Sequence, residues 1–147
     1  NIIDSKKRID SLAVELIAEN INSSIKGTVK RIKQPIEGTY GCQRIPDDGK
    51  IDWSKSSRYI FNLIRASEPS YPAFTFYNSK KLFILEAELI ENKIYCGTIG
   101  QIAMTLKDGS VIVITGDGIL KIKKVQLENE QPVNAKAYLN SSKIRLV

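Results

Sequence analysis

Few residues in this 147-residue chain have the types that covalent chemistry needs. There is no histidine. That absence excludes Ser-His-Asp and Cys-His nucleophile systems, imidazole acid–base catalysis and any His-ligated metal. The two cysteines, Cys42 and Cys96, are too few for a four-thiolate zinc site and form no Cys-x-x-Cys unit. They read as reduced thiols rather than a bridge. Carboxylates remain. Asp47, Asp48 and Asp52 lie close together, but in a Pro/Gly-rich stretch where turn and capping roles are expected. Gly97-x-x-Gly100 and Gly116-Asp117-Gly118 do not follow a strand and open a long helix, so they read as hairpin turns rather than phosphate cradles. No catalytic, cofactor-binding or metal-ligating residue is assigned.

Binding chemistry is better represented. The chain carries 22 Lys+Arg against 16 Asp+Glu, a net charge of +6 that is spread fairly evenly. An even spread points less strongly to nucleic acid than a stripe would. Two local clusters stand out, Lys30-Arg31-x-Lys33 and Lys121-x-Lys123-Lys124; a solvated face is the ordinary reading of each. Trp53, Tyr59, Phe61, Tyr71, Phe74, Phe76, Tyr77 and Phe83 concentrate aromatic residues in one stretch. Aromatic surfaces with nearby cations grip single-stranded nucleic acid on oligonucleotide-binding barrels. Arg65, Lys80 and Lys81 flank that stretch and could meet phosphate. Alternation puts Phe74 and Phe76 on one face, and core packing is the expectation for it.

The elements that must position these groups follow from periodicity. With 42% hydrophobic and 26% charged residues, the composition is that of a globular chain. Ile9, Leu12, Ala13, Leu16, Ile17 and Ile21 predict an amphipathic helix over 5–21, capped by Asp4 or Ser5 and stopped at 22–24. Residues 25–32 read as a short strand or connector. Residues 34–52 carry linker and turn chemistry, with a domain boundary near residue 45. A second helix is expected over 55–66, capped by Ser54 and ended by Pro69. From Ala73 the period becomes two. Strands are expected at 73–77, 82–90, 97–106, 111–115 and 119–127, the first pair joined through 78–81. Ile102, Met104 and Leu106 should share one face. A short helix from Pro132 to Leu139 completes the prediction. The fold class is mostly β with flanking helices, a small open antiparallel barrel. No apolar run approaches the ~20 residues a bilayer needs, and no signal peptide is evident, so a cytoplasmic chain with no membrane partner is expected.

An ordered set of motifs resembles a known family. The set runs Gly49-Lys50-Ile51-Asp52-Trp53-Ser54-Lys55-Ser56, then Ile60-x-Asn62-Leu63-Ile64-Arg65-Ala66, Pro69-x-x-Pro72-Ala73-Phe74-Thr75, Gly97-Thr98-Ile99, Thr115-Gly116-Asp117-Gly118 and Arg145-Leu146-Val147. It is similar to the C-terminal domain of the 10-formyltetrahydrofolate-dependent formyltransferases, the family of methionyl-tRNA formyltransferase and the amino-sugar N-formyltransferases. The resemblance implies an oligonucleotide-binding-like barrel at 51–147 and an interdomain linker at 34–50. Residues 1–33 would be the last helix and linker start of a Rossmann-like catalytic domain. Family catalysis uses an Asn, a His and an Asp in that upstream domain, which nothing here matches. The chain alone should then be inactive, an accessory or substrate-positioning portion of an enzyme that uses 10-formyltetrahydrofolate. Implied partners are the catalytic domain and either initiator tRNA or a nucleotide-linked amino sugar, with a homodimer as a further arrangement. The run from Tyr40 to Gly49, and Pro69-Ser70-Tyr71-Pro72 in place of the tRNA enzyme's usual Trp-Pro pair, lean toward the sugar branch. Lys30, Arg31, Lys33, Arg44, Arg65, Lys80 and Lys81 are the candidate acceptor- or tRNA-contacting residues. The alternative is a stand-alone nucleic-acid-binding barrel or an oligomerisation module.

Overall fold

A computed structural model describes residues 1–30, 32–67, 69–90 and 95–147. The chain divides into two compact units, Asn1–Arg44 and Ile45–Val147. In the first, helix α1 spans Ile2–Ile25. It starts earlier than periodicity predicts because the Asn1 side chain accepts from the Asp4 N–H at 3.0 Å. It also runs through 22–24, and Gly27, at φ +70°, follows its end. Gly suits a helix C-terminus because it lacks the Cβ that opposes positive φ. No residue of α1 is buried; Ile9, Leu12, Leu16, Ile17 and Ile21 are all exposed. The described residues from 26 to 44 form turns and extended chain, with no strand.

The second unit opens with a 3-10 turn, Pro46–Gly49. The Asp48 carboxylate accepts from the Ile45 N–H at 2.9 Å. Helix α2 spans Ser57–Ala66 and is capped by Ser56, whose hydroxyl accepts from the Tyr59 N–H. Ser54 does not cap it. Its N–H and hydroxyl both donate to Asp52, at 2.9 and 2.6 Å, in a side-chain turn one step upstream. Buried Ile60 and Ile64 turn α2 toward the sheet.

Six strands follow: β1 (Phe74–Tyr77), β2 (Lys80–Leu89), β3 (Ile102–Thr105), β4 (Val111–Ile114), β5 (Ile119–Leu127) and β6 (Val133–Asn134). The spatial order is β1-β2-β5-β4-β3, antiparallel throughout, with β6 also paired to β5. The β1–β2 turn needs only Asn78 and Ser79, at φ +50° and +63°. Left-handed residues at both centres give the twist that two-residue hairpins require. Lys80 and Lys81 therefore belong to β2. The segment expected as a helix from Pro132 is instead β6 and a 3-10 turn at Ala135–Ala137, because Val133 and Asn134 pair with Val125 and Lys124. A register shift between Ile102 and Met104 breaks the expected alternation in β3. Ile102 is buried and Met104 exposed, since an extra residue re-aims every side chain beyond it.

The C-terminal segment closes this half-barrel. Leu146 N–H donates to the Gly100 carbonyl at 2.9 Å, beside β3. One residue on, the Val147 carbonyl accepts from the Phe76 N–H at 2.9 Å, on β1. Inside, Ile51, Trp53, Ile60, Leu82, Ile84, Val113, Leu120, Ile122 and Leu139 form the main core. A smaller cluster, Ile112, Ile114 and Ile119, lies apart from it. All four residues of β4 are buried, which is why its sequence is continuous Val-Ile-Val-Ile rather than alternating.

Candidate nucleic-acid interface

The β1–β2 hairpin carries its three phenylalanines on one face, while Tyr77 packs against the main core. Cross-strand partners Thr75 and Leu82 are buried, and Leu82 belongs to the main core. Phe74, Phe83, Phe76 and Lys81, at the intervening positions, point the opposite way. None of the three rings is part of either core cluster. The expected burial holds for Phe74, at 3% exposure, and fails for half-buried Phe76; the two share a face, opposite the one that carries Leu82 and the main core. Thr75, on the inner face, gives buried Trp53 an acceptor. Its indole N–H donates to Thr75 Oγ1 at 3.0 Å, and that hydroxyl donates on to the Val147 carbonyl at 2.9 Å.

The outer rings form a compact group. Phe74 meets Phe76 edge-on at 5.7 Å and Phe83 at 6.4 Å between centroids. The Lys81 ammonium sits 4.5 Å from the Phe74 centroid and 3.9 Å from Asp47. The Lys50 ammonium sits 5.4 Å from Phe76. Lys50 is absent from the sequence-based candidates; it reaches this face through a bridge between the 3-10 turn and Phe74 that no local pattern announces.

The other candidates disperse. Lys30 and Lys33 are exposed on the connector of the first unit, and Arg31 lies outside the described residues. Arg44 is half-buried. Arg65 is exposed on α2, donating to Asn62 at 2.9 Å and lying over Phe61. Lys80 is exposed beside the hairpin turn. Lys81 is the sequence-predicted cation that the fold seats on the aromatic face.

The cluster Lys121, Lys123 and Lys124 is neutralised within the sheet. Register places it opposite Glu86 and Glu88 of β2. Lys121 lies 3.7 Å from Glu88 and 3.0 Å from Asp108, Lys123 2.8 Å from Glu88, and Lys124 3.7 Å from Glu86. The Lys123 ammonium holds Glu88 below the usual carboxylate range, and Glu88 in turn raises Lys123. Asp108 is lowered further, first by the Ser110 hydroxyl and N–H and then by Lys121. This is a mixed-sign face, not a cationic one.

Thr115-Gly116-Asp117 has a structural role. The Asp117 carboxylate accepts from the Ser57 N–H at 2.7 Å and the Ser57 hydroxyl at 3.0 Å, capping α2 from across the barrel. The Ser57 amide, above all, lowers the Asp117 pKa. Gly116 N–H donates to the Lys55 carbonyl at 3.0 Å. Asp47, Asp48 and Asp52 serve as an ion-pair partner, a cap and a turn acceptor. A cleft of about 500 Å³ runs past Ile51, Trp53, Ile99 and Leu146. Its carboxylate, Asp52, is committed to Ser54, which lowers it. Among the described residues no group of three His, Cys, Asp or Glu side chains could hold a metal, and no helix is long and apolar enough to cross a membrane.

The family model "Formyl transferase, C-terminal domain" matches residues 44–143. The chain belongs to this formyltransferase family. The methionyl-tRNA formyltransferase of Thermodesulfovibrio yellowstonii is 33% identical over 138 residues, covering 94% of this chain and 43% of that protein. The enzyme of the same name from Streptococcus agalactiae serotype III is 34% identical over 135 residues, covering 89% and 42%. This formyltransferase domain thus spans less than half the length of those relatives, where it is part of a larger enzyme. Among solved structures, HypX from Aquifex aeolicus matches with a TM-score of 0.66 at 20% identity, over 87% of this chain and 23% of that one. HypX in complex with tetrahydrofolic acid matches with a TM-score of 0.66 at 19% identity, over 85% and 22%. At that identity the likeness carries the fold, a half-barrel sheet with two helices.

Proposed function

We propose that this chain is the C-terminal, acceptor-positioning portion of a formyltransferase that formylates the amine of methionyl-tRNA. The observation that carries this is the 33–34% identity to methionyl-tRNA formyltransferases over most of the chain. The formyl donor would be 10-formyltetrahydrofolate, held by a catalytic domain. This chain supplies none of the chemistry, since it has no histidine and its described carboxylates in the cleft and turns serve caps and ion pairs. Residues 1–33 are read as the end of that catalytic domain and 34–50 as linker. The exposed apolar stripe of α1 supports this, because such a stripe needs a surface to cover it. Lys30, Arg31, Lys33, Arg44, Arg65, Lys80 and Lys81 are the pool from which phosphate contacts would come.

The test is a titration of the chain with methionyl-initiator-tRNA across a salt series. Binding should weaken with salt at a slope of about −0.9 per duplex phosphate neutralised. No measurable binding at ~50 mM salt hands the acceptor to a nucleotide-linked amino sugar, whose small charge needs no extended cationic surface. Formyl transfer by this chain alone, given donor and acceptor, refutes the division of labour.

A further inference from the structure

A sheet with one buried face ordinarily carries apolar residues inward and polar residues outward. At the β1–β2 hairpin the inner face is ordinary, with Ala73, Leu82 and Ile84 in the main core, but the outer face is aromatic. Thr75 also points in, and Phe74, Phe76 and Phe83 point out. Phe74 is buried by its neighbours, the other two rings and the Lys81 side chain. Phe76 and Phe83 remain half-buried. The part of Phe76 and Phe83 left toward water forgoes the stabilisation that burial gives.

What the face offers is two half-open rings between two cations, Lys50 and Lys81, each already seated against an aromatic ring. Phosphate recognition alone needs only the cations, and duplex RNA stacks its bases out of reach. An unpaired nucleotide presents a flat base and flanking phosphates together, which is the complement of this arrangement. The one carboxylate described at the face, Asp47, is held by Lys81.

The geometry points to the outer face of the β1–β2 hairpin as a platform for an unpaired stretch of RNA. Its base stacks on Phe76 or Phe83, and its neighbouring phosphates meet Lys50 and Lys81. The ammoniums swing from ring to phosphate as the base arrives. This rests on the reading of the chain as an RNA-handling domain, and adds that the contact is to unpaired nucleotides rather than helix backbone.

Fluorescence anisotropy with the 147-residue chain tests it, using a ten-nucleotide single-stranded RNA and a ten-base-pair RNA duplex at matched salt. Tighter binding to the single strand is expected. F76L/F83L keeps apolar volume but removes the rings; it should weaken single-strand binding about 5- to 100-fold and leave duplex binding within about 2-fold. K50Q/K81Q should weaken both and flatten the single-strand salt slope by about 1.4, two contacts at ~0.7 each. Should F76L/F83L fail to melt cooperatively, the wild-type ring protons decide. Upfield shifts of Phe76 or Phe83 on adding the single strand support the platform, and unmoved rings overturn it. Equal affinity for both RNAs, untouched by the Leu variant, overturns the platform but leaves the RNA-handling reading standing. No binding of either RNA at ~50 mM salt overturns both.

Discussion

Gly116→Ala tests whether the Thr115-Gly116-Asp117 turn is a clamp on helix α2. A Cβ at Gly116 would lie 1.8 Å from the Ser54 carbonyl oxygen, 2.6 Å from its carbon and 3.1 Å from the Lys55 oxygen. All three are backbone atoms, so no side-chain rotation relieves the contact. The turn must retreat by roughly 1.5 Å to reach ordinary van der Waals separation. That retreat breaks the Gly116 N–H bond to Lys55 at 3.0 Å and pulls Asp117 from the Ser57 N–H at 2.7 Å. Overpacking of this kind costs about 1–3 kcal/mol, and loss of a helix cap about 1 kcal/mol. One movement causes both, and their sum is roughly 2–4 kcal/mol. For a unit of this size that lowers the midpoint by on the order of 10–20 °C. Urea and thermal unfolding followed by the fluorescence of buried Trp53 measure it. Asp117→Ala alone should cost about 1 kcal/mol. Added to Gly116→Ala it should cost almost nothing further, because the cap is already gone. A Gly116→Ala protein within about 0.5 kcal/mol of wild type would refute the clamp, as surface changes of no consequence fall in that range.

Asp117 also sets a pH dependence. Its folded pKa is lowered, first by the Ser57 amide, so its contribution is complete above the unfolded value of about 3.9 and is lost as pH falls through the folded pKa. Asp117→Asn should therefore flatten the decline in urea midpoint below about pH 4, and parallel pH curves for the two proteins would contradict it. Gly100 stands at φ +76° with a Cβ position 2.4 Å from the Leu146 oxygen. Gly100→Ala should unseat the C-terminal segment and cost about 2 kcal/mol or more, read as faster protease cleavage near residue 140; an unchanged cleavage rate counts against the seam. Lys121→Gln with Lys124→Gln should leave the salt slope of tRNA binding unchanged within error, because those ammoniums already face Glu86, Glu88 and Asp108; a slope reduced by about two would return that face to the interface.

Much of the fold was legible because its signals are local. A turn after Tyr77, the strands β1, β2, β4 and β5 and the continuous Val111–Ile114 segment announce themselves within a few residues, although the turn takes two residues rather than four and the strand expected from Gly97 begins at Ile102. Boundaries shifted where a neighbouring side chain competed. Asp52 captures Ser54, so Ser56 caps α2. Val133 and Asn134 find β5, so a short helix becomes a strand and a turn. The candidate cations were harder. A lysine's role depends on what lies across the sheet, and register is a long-range property. Lys121, Lys123 and Lys124 look like a basic patch in sequence but lie against glutamates of β2, far from them along the chain.

Sequence alone determined the family, the absence of imidazole chemistry in this chain and the turn at Pro46–Gly49, because motif order and composition do not depend on how strands pair. Tertiary structure decided which face each aromatic ring takes and which lysines lie against glutamates. Period-two alternation puts Phe74 and Phe76 together but says nothing of inside or outside. Pairing opposite buried Leu82 puts Thr75 on the inner face, where it accepts from the Trp53 indole, and leaves Phe74 and Phe76 on the other face beside Lys50 and Lys81.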